Sequence, residues 1–196
     1  MIHAQIPTLA LHIMAQFCPP KVIAGRKKLG AIRISRADLG QPISLWACDG
    51  HIGAKMTFSH AEAWADFEGF PDSIPALPFI KEWKTGMTTV SWSSQAHTEL
   101  TTITPKGKEA KEFQHSGDLP DIEAALFAYD APDTMERFTF NPALMARFCK
   151  IKQIERLTLR SSGTCRACFF SADFHPGTEL GAVDFDIVLM PYVIAN

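Results

Sequence analysis

An Asp49-Gly50 pair set between two apolar runs constrains this chain more than any other feature. Ile43, Leu45 and Ala47 alternate with Ser44, Trp46 and Cys48, the period of a pleated strand. The run after the pair continues through Met56 and Phe58. Asp-Gly is a strong hairpin signal, because a type I′ turn needs positive φ at both central residues. The stretch Leu45 to Gly53 therefore predicts strand, tight turn, strand.

Helical spacing dominates the N-terminal segment. Ile6, Leu9, Ile13 and Phe17, flanked by Ala10 and Met14, predict a helix over 6–17, capped by Thr8 and stopped by Pro19-Pro20. After the basic run Arg26-Lys27-Lys28, Ile32 and Ile34 alternate with Arg33 and Ser35 in a strand that starts at Leu29. Residues 60–69 read as a connection. A short helix over 75–84 points Phe79, Ile80 and Trp83 inward and Lys81, Glu82 and Lys84 outward, with Gly86 as its stop. A strand holding Val90 and Trp92 follows, then a hairpin of 97–104 with 107–115. A third round opens at Phe138 and Phe140. Asn141 is placed to cap a helix whose first residue is Pro142, with Leu144, Met145, Phe148 and Ile151 on its buried face and Arg147 and Lys150 projecting away. Strands beginning at Leu157, over 167–172 and over 183–194 close the chain.

Composition bounds the function. Of 196 residues, 46% are hydrophobic and 20% charged, ordinary for a soluble globular protein. A net charge of −2 argues against a surface that coats nucleic acid throughout, but leaves room for a local basic patch. Five scattered cysteines suit free thiols in a reducing compartment. The first apolar segment is interrupted by His12 and Gln16 and lacks a preceding basic region, so neither a signal peptide nor a membrane span is expected. Cytoplasmic location is the expectation.

The unit helix, short loop, alternating strand recurs three times, its first strands reading Ile-Arg-Ile-Ser, Val-Ser-Trp-Ser-Ser and Leu-Thr-Leu-Arg-Ser-Ser. Such a unit cannot bury its apolar face alone and must pack on a copy. The motifs carry a resemblance. Ala47-Cys48-Asp49-Gly50-His51 resembles the Ala-Thr-Asp-Gly-His hairpin of the bacterial sliding clamps, the β subunit of the replicative polymerase. Ile74-Pro75-Ala76 is similar to the opening of a clamp domain's second half, and Leu119-Pro120-Asp121 to the segment joining two clamp domains. Phe140-Asn141-Pro142 with Leu144-Met145 is similar to a helix of the last half-domain. Asp186 to Tyr192 resembles the family's C-terminal Tyr-x-x-Met-Pro-Met segment. These elements stand in family order along nearly the whole chain. Cys48 and Gly53 stand where the family usually has Thr and Leu, and the chain has room for about three half-domains where a bacterial clamp subunit has six.

The resemblance implies an α+β, DNA-clamp-like fold of repeated half-domains, with helices on one side of curved antiparallel sheets. It implies a clamp-like domain of two half-repeats over 1–117, then a linker strand and a further half-domain over 118–196. It implies a non-enzymatic replication or repair accessory protein, without cofactor, that tethers a DNA polymerase or other clamp-binding proteins by their short hydrophobic motifs. Carried over position by position, the partner cleft comprises Arg26, Leu29, Cys48, Gly50, His51, Val188, Met190 and Tyr192, made wider and shallower by Gly53. Residues facing duplex DNA, bound through its backbone whatever its sequence, are Lys81, Lys84, Arg147, Lys150 and Lys152. A homo-oligomeric ring would let odd half-domains of two chains pair.

Other readings stand beside this one. A monomeric adaptor or decoy of the same fold would bind clamp-interacting peptides without DNA, and the first helix, whose only basic residue is His12, suits it. Cys48, Asp49 and His51 suggest a small thiol-dependent hydrolase, although a turn scatters adjacent side chains. Cys165 and Cys168 invite a metal, but residues three apart on a strand face opposite sides, and no metal site is expected.

Overall fold

The computed structural model of the chain describes residues 2–19, 27–36, 43–58, 73–94, 97–104, 107–114, 141–160 and 168–189. The connection over 60–69, the linker at Leu119-Pro120-Asp121, the strand of Phe138 and Phe140, the 117/118 division and Cys165 lie outside the described residues.

Strand β1 (Ile2–Pro7) leads into helix α1 (Thr8–Ala15), and a 3₁₀ turn (Lys27–Gly30) leads into β2 (Ala31–Arg36). The hairpin is β3 (Ile43–Cys48) and β4 (Ile52–Phe58). Then come β5 (Ser73–Pro75), α2 (Leu77–Lys81), β6 (Met87–Ser94), β7 (His97–Thr104) and β8 (Gly107–Gln114). Helix α3 (Pro142–Phe148) precedes β9 (Ile154–Arg160), β10 (Cys168–Phe174) and β11 (Val183–Leu189).

Among the described residues, all pairings are antiparallel and fall into two sheets, β1-β6-β7-β8 and β5-β2-β3-β4-β11-β10-β9. The first two helix-plus-strand units exchange their leading strands. β1, which precedes α1, pairs with β6 of the second unit, and β5, which precedes α2, pairs with β2 of the first. The third unit joins the first by β11 pairing with β4, so the larger sheet takes strands from both sides of the 117/118 division. The architecture is α+β, with few helices and mostly antiparallel strands.

The main core lies where α1 meets the larger sheet. Leu11, Ile13, Met14 and Phe17 are buried against Leu45, Met56, Phe185 and Ile187. Phe17 meets Phe185 edge-on at 5.8 Å, and Phe148 of α3 lies 5.4 Å from Phe170 of β10. These aromatic pairs seat two helices on the same sheet face, since Phe170 and Phe185 share register parity across β10 and β11. Helices α1 and α2 pack on each other, and His12 Nδ1 donates to the Phe79 carbonyl at 2.6 Å. A carbonyl only accepts, which makes Nδ1 the protonated ring nitrogen.

Several expectations need correction. The first six residues of the described chain are a strand, and helix α1 starts at Thr8 rather than Ile6. Thr8 makes no cap. Its hydroxyl bonds that of Thr88 at 2.8 Å, and Thr88 bonds Thr102 at 2.7 Å, a chain of buried hydroxyls that satisfy one another across β6 and β7. The helix ends at Ala15, before the prolines, in turns where Phe17 N–H reaches the Met14 carbonyl and Cys18 N–H that of Ala15. The predicted strand at Leu29 begins at Ala31, after the 3₁₀ turn. Within the hairpin, Ser44, Trp46 and Cys48 are buried like their neighbours. Trp46 donates to Ser35 Oγ at 2.6 Å and lies under the Lys55 ammonium, 4.5 Å from its ring centre. The Asn141 cap is as expected, its side chain accepting from Ala143 N–H at 2.9 Å.

Candidate functional site: the hairpin tip and the last described strand

Register decides where the predicted cleft residues fall. Cys48 pairs with Gly53, and Gly53 pairs with Val188, so the three form one row across β3, β4 and β11. Directly paired residues share a sheet face, so the row carries no side chain at its centre, between Cys48 and Val188. Val188 is fully buried and Cys48 nearly so, and neither belongs to the contiguous core around α1. Gly50 and His51 stand exposed at the tip, and Leu29 is half-buried in the 3₁₀ turn. Arg26, Met190 and Tyr192 lie outside the described residues.

The tip differs from a two-residue Asp-Gly turn. Asp49 N–H bonds the Ile52 carbonyl at 3.1 Å, which puts Gly50 and His51 at the centre. Gly50 has φ of +95°, at the first central position, where glycine meets no Cβ penalty. Asp49 Oδ1 accepts from His51 N–H at 2.8 Å and Ile52 N–H at 3.0 Å, so a side chain does part of the turn's bonding. Gly50 N–H points at Cys48 Sγ, 3.1 Å away.

Arg147 does not project away. It turns under the tip, pairing with Asp49 Oδ2 through Nη1, and it donates from Nε to the Gln16 carbonyl at 3.1 Å and from Nη2 to Cys18 O at 3.0 Å. Those carbonyls belong to Gln16, the C-cap of α1, and to the turn that follows it, close to the helix end where a cation is favoured. Its guanidinium is thereby engaged inside the protein. Lys81, Lys84, Lys150 and Lys152 are exposed, at the C-terminal ends of α2 and α3 or just beyond. Helix C-termini attract cations in any protein, so position alone does not single them out for phosphate.

The three buried thiols, Cys18, Cys48 and Cys168, are poorly suited to nucleophilic chemistry. Burial pushes Cys48 above its ordinary value, and burial followed by the neighbouring Cys48 pushes Cys18 up to about 12 from 9.0. Cys168 is raised by burial as well. Both carboxylate oxygens of Asp49 are engaged by the turn and Arg147, and His51 is exposed. Among the described residues, no three His, Cys, Asp or Glu side chains gather as a metal site requires. No helix among them is long and apolar enough to cross a membrane.

Cys18 sets a pH dependence. Between pH 9.0 and about 12 the unfolded chain loses this proton while the folded chain keeps it, so stability falls as pH rises through that window. Urea midpoints taken near neutrality and at a pH inside that window are expected to fall further for the wild type than for Cys18→Ala. Equal falls would show that Cys18 is not the group responsible.

Paired units that exchange leading strands, helices on one face of an antiparallel sheet and a hairpin zipped to the last described strand define a clamp fold. Solved structures similar to it include bacterial sliding clamps, the β subunit of DNA polymerase III. The Streptococcus pneumoniae clamp superposes with a TM-score of 0.64 at 11% identity, covering 99% of this chain and 65% of that one. The Pseudomonas aeruginosa clamp gives 0.63 at 13%, covering 99% and 66%. The Borrelia burgdorferi clamp gives 0.62 at 10%, covering 100% and 64%. The chain thus spans slightly less than two thirds of the length of these relatives. No family model and no curated protein matches the sequence. The likeness is one of fold.

Proposed function

We propose that this protein is a non-enzymatic, sliding-clamp-like accessory of DNA replication or repair that tethers a polymerase or another clamp-binding protein by a short hydrophobic segment. The observation that carries this reading is the Cys48–Gly53–Val188 row, which binds the Gly50-His51 tip to the last described strand. Two of the three sequence motifs that suggest a clamp cleft, the hairpin and the C-terminal segment, meet in that row. A peptide would rest on the exposed tip and the half-buried Leu29, beside the buried row, and Arg26, Met190 and Tyr192 are proposed to belong to the same cleft.

A fluorescein-labelled short peptide ending in Leu-Phe tests this by anisotropy. The wild type is expected to bind it, and a His51→Ala, Leu29→Ala double variant to bind roughly tenfold more weakly, about 1.4 kcal/mol. Both residues are partly or wholly exposed, so the fold should survive the change. Equal affinity in the double variant would remove the tip from the cleft.

The protein is further proposed to surround duplex DNA as a homo-oligomer in the cytoplasm, touching phosphates through Lys81, Lys84, Lys150 and Lys152. Light scattering over a range of concentrations, followed by salt-dependent binding to nicked circular DNA, separates this from the monomeric adaptor. A stable tetramer or hexamer supports the ring. A persistent monomer supports the adaptor, which the engagement of Arg147 within the fold also favours.

A further inference from the structure

We propose that Arg147 is the positioning residue of the hairpin tip, holding it in its ligand-binding shape from the end of α1. The inference rests on the reading of the tip as part of a peptide cleft. A turn centred on Gly50 and His51 does not fix itself, because glycine ranges over both signs of φ. Its shape is held instead by Asp49, whose Oδ1 takes two backbone N–H groups of the turn. The remaining oxygen of that carboxylate belongs to Arg147. One guanidinium therefore joins three segments far apart in sequence: the tip at Asp49, the end of α1 at Gln16 and Cys18, and α3, which supplies it.

The chemistry requires arginine. The planar fork sends donors in several fixed directions at once, whereas a lysine ammonium is a single point of charge on a flexible stem. The Arg147 side chain is 25% exposed and that of Asp49 11%, so water competes little for either. A tip ordered beforehand binds its ligand without paying for ordering at that moment, and a loosened tip loses that advantage. Movement of α1 or α3 would also reach the tip through the same group, which couples the cleft to the helices.

Two conservative variants test this by different routes. Arg147→Lys keeps the charge and loses the fork. Asp49→Asn keeps the Oδ1 acceptor for the turn and turns an amide toward the guanidinium. Each is expected to weaken the Leu-Phe peptide by roughly tenfold, and to speed amide exchange at Gly50, His51 and Ile52 more than in the central strands. Measurements are made well below the unfolding temperature, on protein whose circular dichroism matches the wild type. A merely structural role would lower the melting temperature and leave both affinity and local exchange as in the wild type; that result overturns the proposal. A wild type that does not bind the peptide overturns the cleft reading, and this inference with it.

Discussion

Trp83→Ala is expected to destabilise the protein by about 3–5 kcal/mol, the range for truncating a large buried aromatic. Trp83 is fully buried just past the end of α2 and meets Phe79 edge-on at 5.6 Å. Its indole N–H donates to Glu109 Oε2 at 2.8 Å, and Lys111 lies over the ring, 5.4 Å from its centre, while also pairing with Glu82. The side chain thus clasps α2 to β8, the last strand of the smaller sheet. Its loss opens a cavity and also removes a charge-assisted hydrogen bond, so two costs add. In a chain of this size the melting temperature should drop by roughly 10 °C. Trp83→Phe keeps most of the ring and loses only the donor, with an expected cost of about 1–2 kcal/mol. Equal effects of the two changes in thermal unfolding would mean that the hydrogen bond, not the packing, supplies the clasp.

Arg147→Leu carries the second large effect, about 3 kcal/mol, because it leaves the nearly buried Asp49 carboxylate without its cation. The leucine cannot serve the Gln16 and Cys18 carbonyls either, so the end of α1 loses two acceptor partnerships in the same step. Arg147→Leu with Asp49→Leu should recover part of the loss, since an apolar pair of similar bulk leaves no stranded charge. A double-mutant cycle by urea unfolding measures this. Additive losses would place Arg147 and Asp49 in independent roles and break the link between the third unit and the hairpin.

Much of this arrangement was legible in local pattern. Alternation across Ile43 to Phe58 identified the hairpin strands, and Asn141-Pro142 identified the start of α3, because both signals act between near neighbours. β1 is not distinguishable locally, although Ile2, Ala4 and Ile6 alternate with His3 and Gln5. Ile6 also fits the helical spacing of Ile13 and Phe17, and the partner that makes the segment a strand, β6, is some eighty residues away. The tip shifted by one residue because the Asp49 carboxylate took over N–H groups that a backbone carbonyl would otherwise serve. Its charge makes Arg147 read as an outward residue. Its spacing said otherwise: it stands three residues after Leu144 and four before Ile151, on the face that α3 buries. Its acceptors lie 98 and more residues back along the chain and left no local trace. The Cys48–Gly53–Val188 row needed the β4–β11 register, which no local pattern supplies.

The most direct test of the clamp reading is a map of backbone amide shifts as the unlabelled Leu-Phe peptide is added to labelled protein. Perturbations are expected to concentrate at Leu29, across Cys48 to Gly53 and along the end of β11 at Val188 and Leu189. Saturating binding whose perturbations fall elsewhere, such as along β9 or β8, or a spectrum that does not change, would contradict it.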